Sequence, residues 1–132
     1  MTSEQTIDPA TGDVRRDPRD EIVVDVRPWG QFERFTLNEP STVKVITVAR
    51  GQRLSLQRHN HRDELWVILD GPLIVELDGQ RRTVSAGEKV WIPRTTLHRV
   101  GATQDVGGRF LEIAFGTFDE DDIERLADDY QR

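Results

Sequence analysis

The segment Gly51-Gln-Arg-Leu-Ser-Leu-Gln-Arg-His-Asn-His-Arg-Asp-Glu64, which is followed after six further residues by Gly71, decides the fold of this chain. It places a side-chain amide, two imidazoles and a carboxylate on short extended runs between glycine turns. A second segment, Gly87–His98, adds one more imidazole after a proline. Nitrogen and oxygen donors held on neighbouring strands can converge on one divalent cation. The two segments therefore predict a β-structure built around a metal site.

Composition excludes several classes of protein. The chain has 132 residues, which is enough for one domain with a single core, and no apolar run is long enough to cross a bilayer. It contains no cysteine, which excludes disulfides, thiolate metal sites and a cysteine nucleophile and fits a cytoplasmic protein. The formal net charge of −6 argues against nucleic acid as a partner. We expect a cytoplasmic protein whose partner is a small molecule.

Short β-rich runs alternate with turns through the middle of the chain. The predicted strands are Ile22–Val26, Phe32–Leu37, Thr42–Ala49, Leu54–His59, Glu64–Leu69, Leu73–Leu77, Arg82–Ser85, Val90–Ile92, Leu97–Val100 and Arg109–Phe115. Asp78-Gly79 is typical of a type I′ hairpin turn, which needs positive φ at both central residues. Many short strands without intervening helices favour an antiparallel barrel or sandwich.

The two ends differ from this middle part. Residues 1–20 are polar and cannot bury enough apolar surface to offset the entropy of ordering, so we expect a flexible arm. Residues 21–132 then form the single folded domain. Near the end, the segment 119–130 has acidic residues followed by apolar residues at helical spacing, which predicts a short C-terminal amphipathic helix.

Period two along a strand brings the donor side chains to one face. On this reasoning Gln57, His59 and His61 project together, and Glu64 on the next strand can face the same point. His98 arrives after the second glycine turn as a fourth ligand. Such a set, without sulfur, suits Zn²⁺, Mn²⁺, Fe²⁺, Co²⁺ or Ni²⁺, and the residues leave the choice among these ions open.

The two segments resemble the motifs of the cupin superfamily, whose fold is a double-stranded β-helix or jelly-roll barrel. The closer resemblance is to the type II phosphomannose isomerases. It is carried by Arg27-Pro-Trp-Gly30, Gly51–His59, His61-Arg-Asp-Glu64, Trp66, Ile92-Pro93, His98-Arg99 and Asp121-Asp122-Ile123. The resemblance implies Gln57, His59, Glu64 and His98 as metal ligands. Asn60 and Leu65 depart from the family, since relatives often carry histidines there.

The resemblance also implies an activity, the interconversion of mannose 6-phosphate and fructose 6-phosphate. This reaction needs a base near the substrate, for which His61 is the first candidate and Glu112 and Lys44 are alternatives. The phosphate needs cations, and Arg62, Arg99 and Arg27 lie in the matching segments. Zn²⁺ is the first choice of metal, and a homodimer is expected in which Ile22–Val26 of one subunit covers its partner.

Two other functions fit the same residues. The chain can be a non-catalytic cupin that holds a metal and binds a sugar phosphate or nucleotide sugar, and the departures Asn60 and Leu65 fit that alternative. It can also be an oxidative cupin with a redox-active metal, although Gln57 argues against this because an amide is a weak ligand. Exchange of the sugar's C2 proton separates the first from an isomerase, and oxygen consumption separates the second.

Overall fold

Two antiparallel β-sheets form the body of the protein. The computed structural model describes residues 5–7 and 14–130. The strands are β1 (Gln5–Ile7), β2 (Val14–Arg16), β3 (Val23–Arg27), β4 (Gly30–Arg34), β5 (Ser41–Val48), β6 (Leu56–Arg58), β7 (Arg62–Asp70), β8 (Leu73–Leu77), β9 (Gln80–Val84), β10 (Lys89–Ile92), β11 (His98–Ala102), β12 (Gly108–Gly116) and β13 (Glu124–Ala127). One sheet has the order β10–β7–β12–β5 and the other has the order β13–β6–β11–β8–β9; β1–β2 and β3–β4 pair separately.

The predicted strands are confirmed, since each of the ten runs overlaps a strand of the structure. The hairpin between β8 and β9 also turns as predicted. Asp78 has φ of 47° and Gly79 has φ of 81°, so both central residues adopt the positive φ of a type I′ turn. In the part of the chain that the structure describes, no helix is long and apolar enough to cross a membrane.

The main apolar core lies between the two sheets. Trp66 and Phe110 on one sheet and Val100 on the other belong to a single buried cluster. Alternate residues of a strand share a face. Glu64 precedes Trp66 by two positions and Glu112 follows Phe110 by two, so both carboxylates lie on the inner face, beside the core.

A second apolar cluster covers the outer face of the β10–β7–β12–β5 sheet. Leu65, Ile113 and Phe115 are buried there. Ile22 and Phe35, which flank the β3–β4 hairpin, pack against them. This packing attaches the hairpin to the sheet on the side opposite the core.

The predicted arm, residues 1–20, contains regular structure where it is described. β1 pairs with β2 from Gln5 opposite Arg16 to Ile7 opposite Val14. A short 3-10 helix, Pro18–Glu21, follows and is capped by the Asp17 carboxylate. Residues 1–4 and 8–13 lie outside the described residues, so their flexibility stays a prediction.

The predicted C-terminal helix is wrong. Residues Glu124–Ala127 form β13, which pairs antiparallel with β6. A three-residue strand at a sheet edge leaves backbone N–H and C=O groups unpaired, and β13 pairs with them. The carboxylate of Glu124 also accepts hydrogen bonds from Arg58, at 2.9 Å and 3.1 Å, across this strand pair. Pairing with the edge of β6 outweighs the helical spacing of the sequence.

Candidate metal centre

A cavity of about 210 Å³ lies between the two sheets. Two rows of side chains face it, because directly opposite residues of an antiparallel pair project to the same face. One row crosses β5, β12 and β7 and the other crosses β13, β6 and β11. The first row is Lys44, Glu112 and Trp66, and the second is Arg125, Gln57 and His98.

Three of the four predicted ligands meet in this cavity. Ligand atoms of His59, Glu64 and His98 all lie within 4.8 Å of one another. The Nε2 atom of His59 is 3.4 Å from Oε2 of Glu64, and Nε2 of His98 is 4.0 Å from Oε1. The three side chains are at most 4% exposed. Two imidazoles and a carboxylate this close together fit a divalent transition-metal ion.

Both imidazoles present the nitrogen that a metal needs. Nδ1–H of His59 donates to the backbone carbonyl of Asp122 at 2.7 Å, and Nδ1–H of His98 donates to that of Thr96 at 2.9 Å. A carbonyl only accepts, so the proton sits on Nδ1 and Nε2 keeps its lone pair. Burial lowers the pKa of His59 and of His98, which keeps both rings neutral and ready to ligate.

The carboxylate of Glu64 is held in its ionised form. Burial alone favours the neutral acid, but the pKa of Glu64 is lowered; with both imidazoles neutral, the charge and the hydrogen bond of Arg62 hold the carboxylate in its ionised form. Nε1–H of Trp66 donates to Oε1 at 3.0 Å, and Nε–H of Arg62 donates to Oε2 at 3.0 Å. These donors fix the position of both carboxylate oxygens.

Gln57 faces the same cavity, beside His98 on the neighbouring strand. Its amide nitrogen Nε2 donates to the hydroxyl oxygen of Ser55 at 3.2 Å. That bond leaves the carbonyl oxygen Oε1, the ligating atom of an amide, available to a cation. The orientation of Gln57 therefore fits the predicted role as a fourth ligand.

Arg62 lies against the same ligand atoms. Its Nη2–H donates to Nε2 of His59 at 3.3 Å, and its Nη1–H donates to the carbonyl of Asp119 at 3.2 Å. The guanidinium carbon also lies 4.3 Å from the ring centroid of Phe118. With its nitrogens bound to protein atoms, Arg62 is a structural partner of the ligands rather than an open phosphate site.

Glu112 has the opposite electrostatic environment from Glu64. Its side chain is buried in the cavity, and burial together with the charge of Glu64 raises its pKa to about 7, against the smaller effects of Lys44 and Arg62. A carboxyl group that titrates near neutral pH can both take and return a proton. Of the three predicted catalytic residues, Glu112 has the environment that acid–base chemistry needs.

Lys44 is also in the cavity, directly opposite Glu112 on β5. Its Nζ lies 3.3 Å from Oε1 of Glu120 and 4.2 Å from the ring centroid of Phe118. The ammonium group thus links β5 to the loop that follows β12. This placement leaves Lys44 close enough to act on a bound substrate.

Two predicted site residues, His61 and Arg27, lie outside the cavity, and the guanidinium of a third, Arg99, is bound to backbone carbonyls. His61 is exposed because β6 ends at Arg58, so the period of two fails in the turn that follows. Arg27 is exposed on β3 and pairs with Asp25 at 2.9 Å. Arg99 borders the cavity, but its guanidinium donates to the carbonyls of Leu54 and Ala127.

Two residues of the site were missed by sequence reasoning. Arg125 lines the cavity from β13, and Asp122 supplies the carbonyl that orients His59. Both lie in the segment that was predicted to be a helix packed on the barrel. The nearest signal in the sequence was Asp121-Asp122-Ile123, which carries part of the resemblance described above.

Comparisons with known proteins agree with this geometry. The family described as "Mannose-6-phosphate isomerase C-terminal" matches residues 17–128. The alginate biosynthesis protein AlgA of Pseudomonas aeruginosa is 36% identical over 107 residues, which are 80% of this chain and 22% of AlgA. The mannose-1-phosphate guanylyltransferase of Escherichia coli (strain K12) is 35% identical over 107 residues, with the same coverage. The chain thus spans 22% of the length of these two relatives.

A solved structure shows the same fold. A cupin-like protein of Thermotoga maritima superposes with a TM-score of 0.58 at 20% identity, over 69% of this chain and 68% of that protein. The barrel predicted from the two motif segments is therefore confirmed as a cupin barrel. With the match of the family over residues 17–128, the chain belongs to the family of mannose-6-phosphate isomerase C-terminal domains.

Proposed function

We propose that the protein is a metal-dependent aldose–ketose isomerase of a sugar phosphate, most specifically of mannose 6-phosphate and fructose 6-phosphate. The observation that carries this proposal is Glu112, a buried carboxyl group with a pKa of about 7 in the same cavity as His59, Glu64 and His98. Isomerisation moves a proton between C2 and C1, which requires one group that is both base and acid near neutral pH.

The metal would be held by Gln57, His59, Glu64 and His98, with Zn²⁺ as the first choice and Mn²⁺, Co²⁺, Fe²⁺ or Ni²⁺ as alternatives. When bound, such an ion supplies Lewis-acid stabilisation of the negative charge that develops on the sugar's C1 and C2 oxygens. The neutral imidazoles and the ionised Glu64 are ready for this role without losing a proton first. His61, being exposed, is not part of the proposal.

Glu112 would take the proton from C2 of the open-chain aldose and return it to C1 of the resulting enediol, while the proton of the C2 hydroxyl passes to the C1 oxygen. Lys44 lies directly across the strand pair from Glu112 and favours its ionised form. Trp66 lies directly opposite Glu112 on its other side, and Ile46 also lines the cavity, so these apolar side chains contribute to the burial of the carboxyl group. A carboxylate in such surroundings is a stronger base than one in water.

Arg125 is the cation that we propose for the substrate phosphate. It stands in one row with Gln57 and His98, two strand spacings, or about 10 Å, from His98. That span matches an extended six-carbon sugar phosphate with its oxygens at the metal and its phosphate at the far end. Arginine suits this role because its planar fork matches phosphate oxygens.

The non-catalytic alternative loses one of its supports. Asn60 is exposed in the turn after β6, and Leu65 is buried in the apolar cluster on the outer face of the sheet. Neither residue lines the cavity. The departures from the family pattern therefore leave the proposed site intact.

We also propose that the protein acts as a homodimer. The β3–β4 hairpin and the edge strand β5 expose large apolar side chains, each at least half exposed, which we call the apolar patch: Val24, Val26, Trp29, Val43 and Val45. Val43 and Val45 lie opposite Ile113 and Leu111 on the outer face that the hairpin base covers. A second copy of the chain would bury this surface.

The experiment that tests the function is a coupled isomerase assay. Purified protein receives mannose 6-phosphate with Zn²⁺, Co²⁺ or Mn²⁺ in turn, and a chelator serves as control. We expect metal-dependent fructose 6-phosphate and exchange of the C2 proton with solvent. Glu112→Gln should bind metal as the wild type does but lose turnover at least 100-fold, within the usual contribution of a general base.

A metal-loaded, folded wild type that neither forms fructose 6-phosphate nor exchanges the C2 proton would contradict the isomerase. It would leave a cupin that binds sugar phosphates. His98→Ala is the companion variant, because it should lose metal and turnover together while Glu112→Gln loses only turnover.

A further inference from the structure

One carboxylate in the C-terminal segment holds the turn that carries His59. The turn consists of residues 59–61, after the end of β6 at Arg58. The backbone N–H of Asn60 and the backbone N–H of His61 each donate to one oxygen of the Asp122 carboxylate, both at 2.9 Å. The backbone carbonyl of Asp122 accepts Nδ1–H of His59 at 2.7 Å.

These contacts act on the side of His59 that faces away from the ligand cluster. The carbonyl fixes the proton on Nδ1 and the plane of the ring, and Nε2 then points at Oε2 of Glu64, 3.4 Å away. The partner that orients a ligating histidine in this way sets both its tautomer and its basicity. For His98 the partner is Thr96, only two residues away in its own turn. For His59 the partner is 63 residues away.

The carboxylate of Asp122 helps to fix the position of the backbone carbonyl of the same residue. Asp122 lies in a tight turn in which its backbone N–H donates to the carbonyl of Asp119 at 3.0 Å. The carboxylate of Asp122 accepts hydrogen bonds from two backbone amides of the 59–61 turn. These bonds set the distance between that turn and the backbone carbonyl of Asp122. Without the carboxylate, these bonds no longer fix the position of the Asp122 carbonyl relative to the His59 imidazole.

We propose that Asp122 is the positioning residue of the metal site, and that its carboxylate fixes His59 in the tautomer and orientation that bind the ion. The inference rests on the metal site of the proposed function. It does not depend on the reaction, because it concerns only how the chain presents one ligand.

The test compares Asp122→Ala, Asp122→Asn and the neighbouring Asp121→Ala. Asp121 is exposed and its backbone N–H donates to the carboxylate of Asp119, so Asp121→Ala controls for the loss of one acidic charge next to Asp122. Two readouts are used on the full chain: the dissociation constant and absorption spectrum of bound Co²⁺, and the ¹⁵N shifts of the His59 imidazole in metal-free protein. Thermal unfolding of the metal-free proteins checks that each variant folds.

We expect Asp122→Ala to weaken Co²⁺ binding about 10- to 100-fold, as removal of such supporting partners typically does, and to change the spectrum. Asp122→Asn should lie between Asp122→Ala and the wild type, because its amide oxygen still accepts one N–H while its NH₂ group cannot accept the other. Asp121→Ala should match the wild type. In metal-free Asp122→Ala, the His59 ring should lose its single Nδ1–H tautomer.

Wild-type Co²⁺ affinity and an unchanged His59 tautomer in folded Asp122→Ala would overturn the proposal. If Asp122→Ala does not fold, Asp122→Asn decides by the same two readouts. A wild type that binds Co²⁺ but has no isomerase activity would contradict the proposed function and leave this inference standing. The imidazole readout in metal-free protein tests the role of Asp122 without turnover.

Discussion

Two buried carboxyl groups of the cavity, Glu64 and Glu112, have pKa values shifted in opposite directions. Glu64 accepts two hydrogen bonds and has a guanidinium beside it, and its pKa is lowered. Glu112 is buried close to the charge of Glu64, and these effects outweigh those of Lys44 and Arg62, so its pKa is raised to about 7. Two carboxyl groups whose pKa values are shifted in opposite directions by their surroundings are typical of a site in which one group stays charged and the other takes up and releases a proton.

The raised pKa of Glu112 predicts a pH-dependent loss of stability. Between pH 4.5, its ordinary pKa, and about 7, the folded state holds a proton that the unfolded state has released. The contribution of Glu112 to stability therefore falls as pH rises through this window, by up to about 3 kcal/mol at neutral pH and above. Glu112→Gln should remove this contribution, so the difference in stability between variant and wild type should change with pH by that amount. Urea unfolding of metal-free wild type and variant at pH 4.5, 6 and 8 measures it.

Asp105→Asn, an exposed carboxylate in the loop between β11 and β12, is the matched control for that experiment. It should leave the pH dependence of the wild type in place. A difference in stability between wild type and Glu112→Gln that stays constant between pH 4.5 and 8 would contradict the environment described for Glu112.

At the scale of single residues, the sequence predicted those whose position follows from strand period and motif spacing. His59, Glu64 and His98 meet as expected, and Glu112 lies in the cavity. His61 does not, because the strand ends before it and the turn rotates it into solvent. Where a strand ends depends on hydrogen bonds to a segment more than sixty residues away, and this information is not local in sequence.

At the scale of elements, the strand pair β6–β13 changes what the end of the chain does. The segment from Phe118 to Arg125 contributes the Asp122 carbonyl, the stacking partner of Lys44 and Arg62, and a cation lining the cavity. The sequence pattern indicated a packing helix, because apolar residues at helical spacing follow four acids. The structure uses those acids in turns and pairs the following residues with an edge strand.

The position of Arg125 on β13 leads to a prediction about substrate affinity. If Arg125 binds the phosphate, Arg125→Ala should raise KM for mannose 6-phosphate about 10- to 100-fold, the loss of a charge-assisted hydrogen bond, with kcat within a few-fold of the wild type. Arg125→Lys should recover part of the loss. Steady-state kinetics at fixed ionic strength measures both constants.

Arg58→Ala serves as the matched control for charge. Arg58 is next to Gln57 on β6, so its side chain points to the opposite face, where it pairs with Glu124. It should leave KM unchanged. An equal increase of KM in Arg58→Ala and Arg125→Ala would mean that the whole sheet edge, and not Arg125, attracts the phosphate.

At the scale of the whole molecule, apolar side chains are buried between the two sheets but exposed to solvent on part of the outer surface. The inner faces of the sheets enclose the core and the cavity, whereas the apolar patch on β3, the turn that follows it and β5 remains exposed. Monomeric proteins rarely leave large contiguous apolar surfaces in water. The sequence predicted the barrel because strand and turn signals are local. It did not predict which surface stays exposed to solvent, because that depends on how the N-terminal segment packs.

The apolar patch predicts a dimer in solution. Wild-type protein should sediment as a dimer, and the double variant Val26→Asp/Val45→Asp should sediment as a monomer, because it would bury two carboxylates in the interface. Val106→Asp, which changes an exposed valine in the loop between β11 and β12, should remain dimeric. Analytical ultracentrifugation over a range of concentrations measures this. A monomeric wild type would contradict the prediction.

The position of Arg62 has a consequence for how the protein acquires its ion. Its guanidinium bonds to His59 Nε2 and Glu64 Oε2, the same atoms that an ion would take. When no ion is bound, the buried carboxylate therefore still has a counter-charge, and we expect the barrel to fold without metal. A protein of this kind can be synthesised first and loaded afterwards, and can give up its ion and be reloaded. Since donors of this type accept several divalent ions, the supply at the moment of loading would decide which one it carries.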